Sequence, residues 1–368
     1  MKHTITIDAR MMHFTGIGTY VRNLLENFGA IEHEFQFKVL CSARDFSTSL
    51  LGTRFKFVEA SSPIYSLREQ WEIMRLASGS SLLHCPHYNI PCLYRGPLVV
   101  TIHDLSHLVC RDSLPNRFAY VYAKIMFATA VRHARRVITV SNFSRDSIQQ
   151  RFRLPREKIR VIYNRLSDRG RDATLAPDLE RLAAMKVSRP YILFVGMLKP
   201  YKNVQGLIRA FAAISLERRN SHQLVVVGKK SKFYPGLERL TKEIGLESKV
   251  VFTDYISDAD LEVLYAGAAV FVLPSFNEGF GLTVLEAMAH GVPVIVSDTS
   301  SLPDVAGDAG ILVDPRDVQS IASAIERVIA DENLRRRLAR RGQERARLFS
   351  AKECARQHLE VYREVLDA

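Results

Sequence analysis

Two glutamates, Glu278 and Glu286, flank a glycine-rich turn within Phe271 to Val296, FVLPSFNEGFGLTVLEAMAHGVPVIV. The stretch reads as strand, loop, helix, turn and strand. The strand ends at Pro274, Gly279 and Gly281 let backbone approach a ligand closely, and Gly291 stops a helix running from about Leu282 to His290. A helix opening from such a loop offers unbonded N–H groups and the positive end of a dipole, which suits a diphosphate, with Leu282 and Thr283 the expected donors. Thr283, Glu286 and His290 share one helical face, while Leu282, Leu285 and Ala289 point to the sheet. A carboxylate at Glu286 can accept from two vicinal hydroxyls, as on a ribose; Glu278, on the loop, would meet a sugar instead.

Such residues need strands to carry them. Short apolar, β-branched runs recur at Thr4 to Ile7, Phe37 to Leu40, Leu98 to Ile102, Val137 to Val140 and Ile159 to Ile162, spaced by helical patterns. The polar stretch Ser167 to Pro177 breaks the rhythm, which restarts at Tyr191 to Val195, Leu224 to Val227, Val250 to Phe252, Val270 to Leu273, Pro293 to Val296 and Gly310 to Val313. The class is therefore α/β: two Rossmann-like, doubly wound parallel sheets, which bind ligands outside the carboxyl ends of their strands and so face a central cleft. Residues 1–170 form the first domain, 171–188 a linker and 189–348 the second domain, and a helix over 349–368 has no strand to return to and is free to cross back onto the first.

The Glu278 to Glu286 spacing, with Gly279-Phe280-Gly281 after the first glutamate, resembles the family 4 retaining glycosyltransferases of GT-B fold, and the likeness covers the whole chain. It implies that Glu286 binds the donor ribose, that Glu278 holds the transferred sugar near its 3-hydroxyl, and that amides from Phe280 to Thr283 take sugar and phosphate oxygens. The segment Ile192 to Asn203 resembles the family's phosphate loop: Gly196 follows the strand and Lys202 matches the lysine on the donor diphosphate, where a cation neutralises the leaving nucleotide. Many relatives carry Arg just after the glycine; Met197 stands here, and Lys199 is a candidate substitute. Backbone groups of Tyr255 and Ile256, after Asp254, align with the family's base contacts, an N-cap being the competing reading there.

In the first half, Gly16-Ile17-Gly18 follows a strand and precedes a helix. It lacks the third glycine of a dinucleotide fingerprint and is similar to the family's N-terminal glycine loop near the acceptor. His103 matches the family histidine beside the donor sugar's 6-hydroxyl, with Asp104 expected to orient it. Asn164-Arg165 departs from the family's Asn-Gly. Asp258-Ala259-Asp260 spells a metal-binding DxD, but it opens an apolar-periodic helix where Asp serves as N-cap and first-turn residue, so no metal and no cofactor is expected. Retention follows from the resemblance; front-face attack, with the leaving phosphate taking the proton, suits a site rich in phosphate binders and poor in bases.

With 368 residues, 47% hydrophobic and 24% charged, the composition is that of a globular protein. Five cysteines without a CxxC pair argue against a disulfide framework, and Asp8 and Arg10 interrupt the N-terminal apolar run too early for a signal peptide, so a cytoplasmic location is expected. The net charge of +12 is concentrated in residues 1–170, with 24 Lys/Arg against 13 Asp/Glu. Asn116 to Arg136 is a helical pattern with an apolar face and a basic end, explained by core packing or by peripheral contact with anionic lipid at the inner face of a membrane.

The motifs Gly16 to Tyr20 and Thr101 to Leu105 look like those of bacterial mannosyltransferases of surface-polysaccharide assembly. The expectation is hexose transfer, leaning to mannose from GDP-mannose as co-substrate, onto a glycan or lipid-linked glycan. A nucleotide-sugar epimerase or hydrolase of the same fold is the alternative. A basic polyanion binder is a remote one that leaves the glutamates and Lys202 unexplained, and no nucleic acid partner is expected.

Overall fold

Runs such as Leu98–Ile102 and Tyr191–Val195 are apolar apart from the Thr101 and Tyr191 hydroxyls, which find partners inside the protein, and both are buried along their whole length. The computed structural model describes residues 3–43, 55–166 and 178–368. Residues 1–166 and 349–368 form one compact unit, and residues 167–348 a second. The break at Ser167 to Pro177 lies outside the described residues; the remainder of the expected linker holds a short helix, Leu179–Ala184.

Unit 1 contains β1 (Thr4–Asp8), β2 (Gln36–Cys41), β3 (Phe55–Glu59), β4 (Leu82–Cys85), β5 (Leu98–Ile102), β6 (Arg136–Thr139) and β7 (Ile159–Val161), in the order β3-β2-β1-β4-β5-β6-β7. Its helices are α1 (Thr15–Ala30), α2 (Leu67–Ala77), α3 (Ser106–Val109), α4 (Arg117–His133) and α5 (Asn142–Phe152). Unit 2 contains β8 (Tyr191–Val195), β9 (Gln223–Val227), β10 (Val250–Asp254), β11 (Val270–Leu273), β12 (Val294–Ser297) and β13 (Gly310–Val313), in the order β10-β9-β8-β11-β12-β13. Around them lie α6 (Leu179–Ala184), α7 (Val204–Ala213), α8 (Leu216–Ser221), α9 (Tyr234–Glu243), α10 (Asp258–Gly267), α11 (Leu282–Ala289), α12 (Leu302–Ala306), α13 (Val318–Ala330) and α14 (Glu332–Arg347). All strand pairings in both sheets are parallel. Each order reverses once, between β1 and β4 in unit 1 and between β8 and β11 in unit 2, and such reversals open a crevice at the carboxyl ends of the two strands.

The sequence reading lacks β3 and β4, for different reasons. At β3 the alternation Phe-Lys-Phe is that of an edge strand, and β4 is four residues long and carries a histidine. His84 is nevertheless fully buried, because a relay satisfies it. The last helix, α15 (Ala351–Leu366), packs on α1 and supplies His358 and Tyr362 to the core of unit 1. Tyr362 Oη lies 2.7 Å from His84 Nδ1, His84 Nε2 2.9 Å from Thr101 Oγ1, Thr101 Oγ1 2.9 Å from Tyr20 Oη, and Tyr20 Oη 2.6 Å from His358 Nε2. His358 Nδ1 is 2.7 Å from the Cys354 carbonyl, which can only accept. That fixes each proton: Tyr362 donates to His84, His84 to Thr101, Thr101 to Tyr20, Tyr20 to His358 and His358 to Cys354, with both rings neutral. Burial pushes His358 down to about 4 and His84 well below the ordinary imidazole value, in keeping with that assignment.

Candidate active site

At the switch point of unit 2, β8 runs into Gly196 and the turn ending at Lys202, and β11 runs into Pro274 to Glu278. The Phe276 N–H donates to the Tyr201 carbonyl at 2.8 Å, so the two loops are stapled by backbone. Lys202 Nζ then reaches Glu278 Oε1 at 2.5 Å, with both side chains largely out of solvent. Ser275 Oγ donates to the same carboxylate oxygen at 2.8 Å, and Ser301 Oγ to the Glu278 carbonyl at 3.0 Å. An ammonium has three donors, so Lys202 can hold Glu278 and still take a phosphate oxygen. Asn203, in the left-handed region at φ 55°, caps α7 by accepting from the Gly206 N–H, which turns the chain sharply after Lys202. Lys199 lies with Nζ 5.9 Å from the Tyr201 ring centroid, beside the same loop.

Gly281 has φ 97°, and a Cβ there would sit 2.7 Å from Leu302 Cδ2, so only glycine fits. It opens α11 without any side-chain cap, which leaves the first-turn amides of Leu282 and Thr283 for a ligand. The helix buries Val284, Leu285, Ala287 and Met288 and ends at Ala289. Of the three residues expected to face the sheet, Leu285 is buried, while Leu282 and Ala289 are only half-buried; α11 packs against α14 as well as against β11 and β12.

The opposite face carries Thr283, Glu286 and His290 together, and Tyr265 of α10 touches all three. Its hydroxyl lies 2.8 Å from Glu286 Oε2 and 3.5 Å from the Thr283 carbonyl, and its ring stacks on His290 at 5.3 Å. His290 Nε2 is 2.5 Å from Glu262 Oε2, and burial raises the Glu286 carboxyl above the usual carboxylate range. Tyr265 and Glu262 were invisible as site residues in the sequence, where Tyr265 reads as the apolar face of its helix.

Several expectations change. Ser257, not an aspartate, caps α10: its Oγ accepts from the Asp260 N–H at 3.1 Å and donates to Asp260 Oδ2 at 2.6 Å, while Asp258 and Asp260 fill the first turn. Asp254 Oδ1 takes the N–H groups of Lys230 and Tyr255 at 2.9 and 2.8 Å, so the Tyr255 amide is already engaged; Ile256 follows it, between Tyr255 and the Ser257 cap.

In unit 1, Gly16, Ile17 and Gly18 form the first turn of α1 rather than a loop before it, and Gly18 is required because a Cβ would lie 2.4 Å from the Met12 carbonyl oxygen. His103 is oriented by Pro86, whose carbonyl takes its Nε2–H at 3.0 Å, and not by Asp104, which accepts from the Ser106 N–H at 2.7 Å to start α3. Burial lowers the His103 pKa, so the ring is neutral with Nδ1 an acceptor. The structure thus groups Gly196, Lys199, Lys202, Glu278 to Thr283 and Glu286 in unit 2, and Gly16 to Gly18, His103 and Asp104 in unit 1.

Residues 14–166 match the family description "Glycosyltransferase Family 4" and residues 182–345 "Glycosyl transferases group 1". The chain is 32% identical over 308 residues to O-antigen chain mannosyltransferase B of Escherichia coli, covering 83% of this chain and 80% of that protein. It is 30% identical over 268 residues to O-antigen chain mannosyltransferase RfbU of Salmonella typhimurium, covering 72% and 70%. Among solved structures, Thermosynechococcus elongatus sucrose-phosphate synthase superposes with a TM-score of 0.79 at 22% identity over 99% of both chains. Anabaena HepE in complex with UDP and glucose does so at 0.78 and 19%, over 98% of this chain and 100% of that one. The sequence matches and the two parallel-sheet units agree: the chain is a glycosyltransferase and belongs to the family 4 glycosyltransferases of GT-B fold.

Proposed function

We propose that the protein is a retaining mannosyltransferase that moves mannose from GDP-mannose to a hydroxyl of a glycan or lipid-linked glycan, without a metal ion. The observation that carries this reading is the Lys202–Glu278 pair beside the uncapped start of α11. Lys202 and the Leu282 and Thr283 amides take the diphosphate, Glu286 takes the ribose hydroxyls, and Glu278 takes the transferred sugar. Lys199 adds a second cation beside the phosphates, Gly196 and Gly279 admit the nucleotide's backbone contacts, and Ile256 lies at the base. His103, neutral and with Nδ1 an acceptor, receives the sugar's 6-hydroxyl.

In the transfer, the bond from the anomeric carbon to the diphosphate breaks, the acceptor oxygen bonds to that carbon from the same face, and the acceptor's proton passes to the departing phosphate oxygen. The positive charge of Lys202 offsets the negative charge that grows on the leaving group, so a bound cation is not required. The mannose assignment is supported by the named activities of the Escherichia coli and Salmonella relatives.

Work at the cytoplasmic face of a membrane is supported by α4, whose Phe118, Val121 and Ile125 are 85%, 52% and 58% exposed on one stripe beside exposed Arg117 and Lys124. No helix among the described residues is long and apolar enough to cross a membrane.

A thermal-shift series with GDP, UDP, ADP and TDP and their hexoses tests the donor, since a ligand bound only by the folded state raises its apparent stability. GDP and GDP-mannose should stabilise most, and anomeric NMR of the product should show retention with activity intact in EDTA. Stabilisation by another nucleotide alone, an inverted product, or abolition by EDTA would each overturn the corresponding part.

A further inference from the structure

The imidazole that follows α11 faces an acceptor with each of its nitrogens. His290 Nδ1 lies 2.8 Å from the Glu286 carbonyl, which can only accept, so Nδ1 carries a proton. Nε2 lies 2.5 Å from Glu262 Oε2 of α10, and that contact also needs a proton, on the ring or on the carboxyl. An imidazole is much the stronger base of the two, so the proton sits on the ring and His290 is an imidazolium beside a carboxylate. Its side chain is only 4% exposed. Burial works against that charge, and the hydrogen bonds to Glu262 and the Glu286 carbonyl outweigh it, holding the ring's pKa above the ordinary imidazole value.

Tyr265 joins this ion to the nucleotide site. Its ring stacks on His290 with centroids 5.3 Å apart and planes 22° from parallel, and its hydroxyl gives its one proton to Glu286 Oε2 at 2.8 Å. Burial makes the Glu286 carboxyl hard to ionise; the Tyr265 hydrogen bond eases it, Glu262 and Asp258 of α10 oppose it, and His290 is the cation of the set. Without that cation, three carboxylates would share one neighbourhood. Asp260, also on α10, is bonded to Ser257 and faces Arg181 at 3.7 Å. Of the other elements packed on α11, β11 and β12 carry no ionisable side chain, α14 meets the adjoining Gly291 through the uncharged Gln343, and Asp304 of α12 is held at its carbonyl by Arg345.

We infer that His290 is a positioning residue of the nucleotide site: as an imidazolium it ties Glu262 of α10 to the end of α11, fixes the Tyr265 ring, and keeps the Glu286 carboxylate ionised for the ribose hydroxyls of a nucleoside diphosphate at neutral pH. The inference rests on the reading that Glu286 takes the ribose. It adds a residue that touches no ligand and acts through one that does.

The test is calorimetry of GDP and, in parallel, UDP binding to the full chain at pH 6, pH 7 and pH 8.5, for wild type and for His290→Gln, which is similar in size and uncharged. The variant should bind about tenfold more weakly at pH 6 and within about twofold of wild type at pH 8.5, where the carboxylate is ionised without help. A uniform loss across the three values would make the ring merely structural, and no loss at any would remove it from the site; either result overturns the proposal. Wild type alone gives a second reading that does not depend on the stability of a variant. A long-range proton–nitrogen spectrum at pH 7 should show both nitrogens of the His290 ring protonated, Glu262→Gln should lower the pH at which that ring loses its proton, and a neutral ring in wild type would overturn the proposal. The 2′,3′-dideoxy forms of the two nucleotides separate this inference from the reading beneath it. If wild type binds them as well as the parent nucleotides, Glu286 does not hold the ribose and both fall. If wild type prefers the parent and His290→Gln keeps that preference undiminished at pH 6, the ribose reading stands and the role of His290 fails.

Discussion

Lys202 Nζ lies 2.5 Å from Glu278 Oε1, although one residue follows β8 and the other β11. Without ligand, each holds the other in place; with one removed, a largely buried charge is stranded. Lys202→Ala should therefore lower kcat about 100-fold with a smaller change in donor KM, because the cation acts most on charge that develops as the bond breaks. Lys202→Ala with Glu278→Ala should cost less than the two single effects added, by about 1–3 kcal/mol in a double-mutant cycle. Additive effects would mean that the two side chains work independently.

Glu286 accepts from Tyr265 through Oε2 and sits in a poorly solvated setting. Glu286→Ala should weaken nucleoside diphosphate binding about tenfold or more by calorimetry, and Tyr265→Phe less so. The ionised carboxylate accepts at both oxygens, whereas protonation turns one of them into a donor. Since its pKa is raised, nucleotide affinity should fall on acidification at a higher pH than an ordinary glutamate would give, and this fall should be absent in Glu286→Gln.

Gly281→Ala meets both a positive φ and the Leu302 side chain. A loss of about 1–3 kcal/mol in stability is expected, together with weaker nucleotide binding as the start of α11 shifts. Gly236→Ala, where nothing lies within 4 Å of the added carbon, is the matched control and should not be destabilised. Equal melting temperatures for the two variants would contradict this.

The apolar stripe on α4 has neighbours of the same kind: Leu67 and Trp71 on α2, and Leu93, are all more than half exposed. Cys92 joins the two helices, its N–H donating to Gln70 Oε1 at 2.8 Å and its sulfur 3.5 Å from Met126 Sδ. Vesicles containing phosphatidylglycerol should sediment with the protein, and those of phosphatidylcholine alone much less. Changing Phe118, Val121 and Ile125 to Ser should lower binding at least tenfold while nucleotide binding persists. Equal sedimentation of the triple variant would remove α4 from the interface.

Acid should weaken unit 1 through its histidine relay. In the unfolded chain His358 takes a proton near 6.5, whereas in the fold it resists until about 4, so its contribution is full above the higher value and is lost as pH falls toward the lower. The loss amounts to about 3 kcal/mol for that ring, with His84 acting in the same direction. Chemical unfolding followed between pH 7 and pH 4.5 should show it, and His358→Gln should flatten the slope.

How much of this was readable depended on whether neighbours in space were neighbours in sequence. The loop, helix and stop of Phe271 to Val296 signal one another within a single stretch, and Lys202 follows its own strand and glycine. Tyr265, by contrast, reaches Glu286 from another helix, as Glu262 reaches His290. The β4 strand is hidden in the sequence because a histidine in a four-residue run looks polar until the Tyr362 and Thr101 hydroxyls that satisfy it are known. Ser257 outcompeted the aspartates as a cap because a hydroxyl can both accept from the Asp260 amide and donate to its carboxylate.

The docking of α15 onto α1 has a consequence for biosynthesis. His358, Leu359 and Tyr362 belong to the core of unit 1 but leave the ribosome after every residue of unit 2. The second unit can therefore finish folding while the first, though begun earlier, still lacks a wall of its interior and exposes Phe28, Tyr20 and His84 to water. The order of completion during synthesis is the reverse of the order of translation, and a chaperone that shields nascent apolar surface should dwell longest on the part of the chain made first.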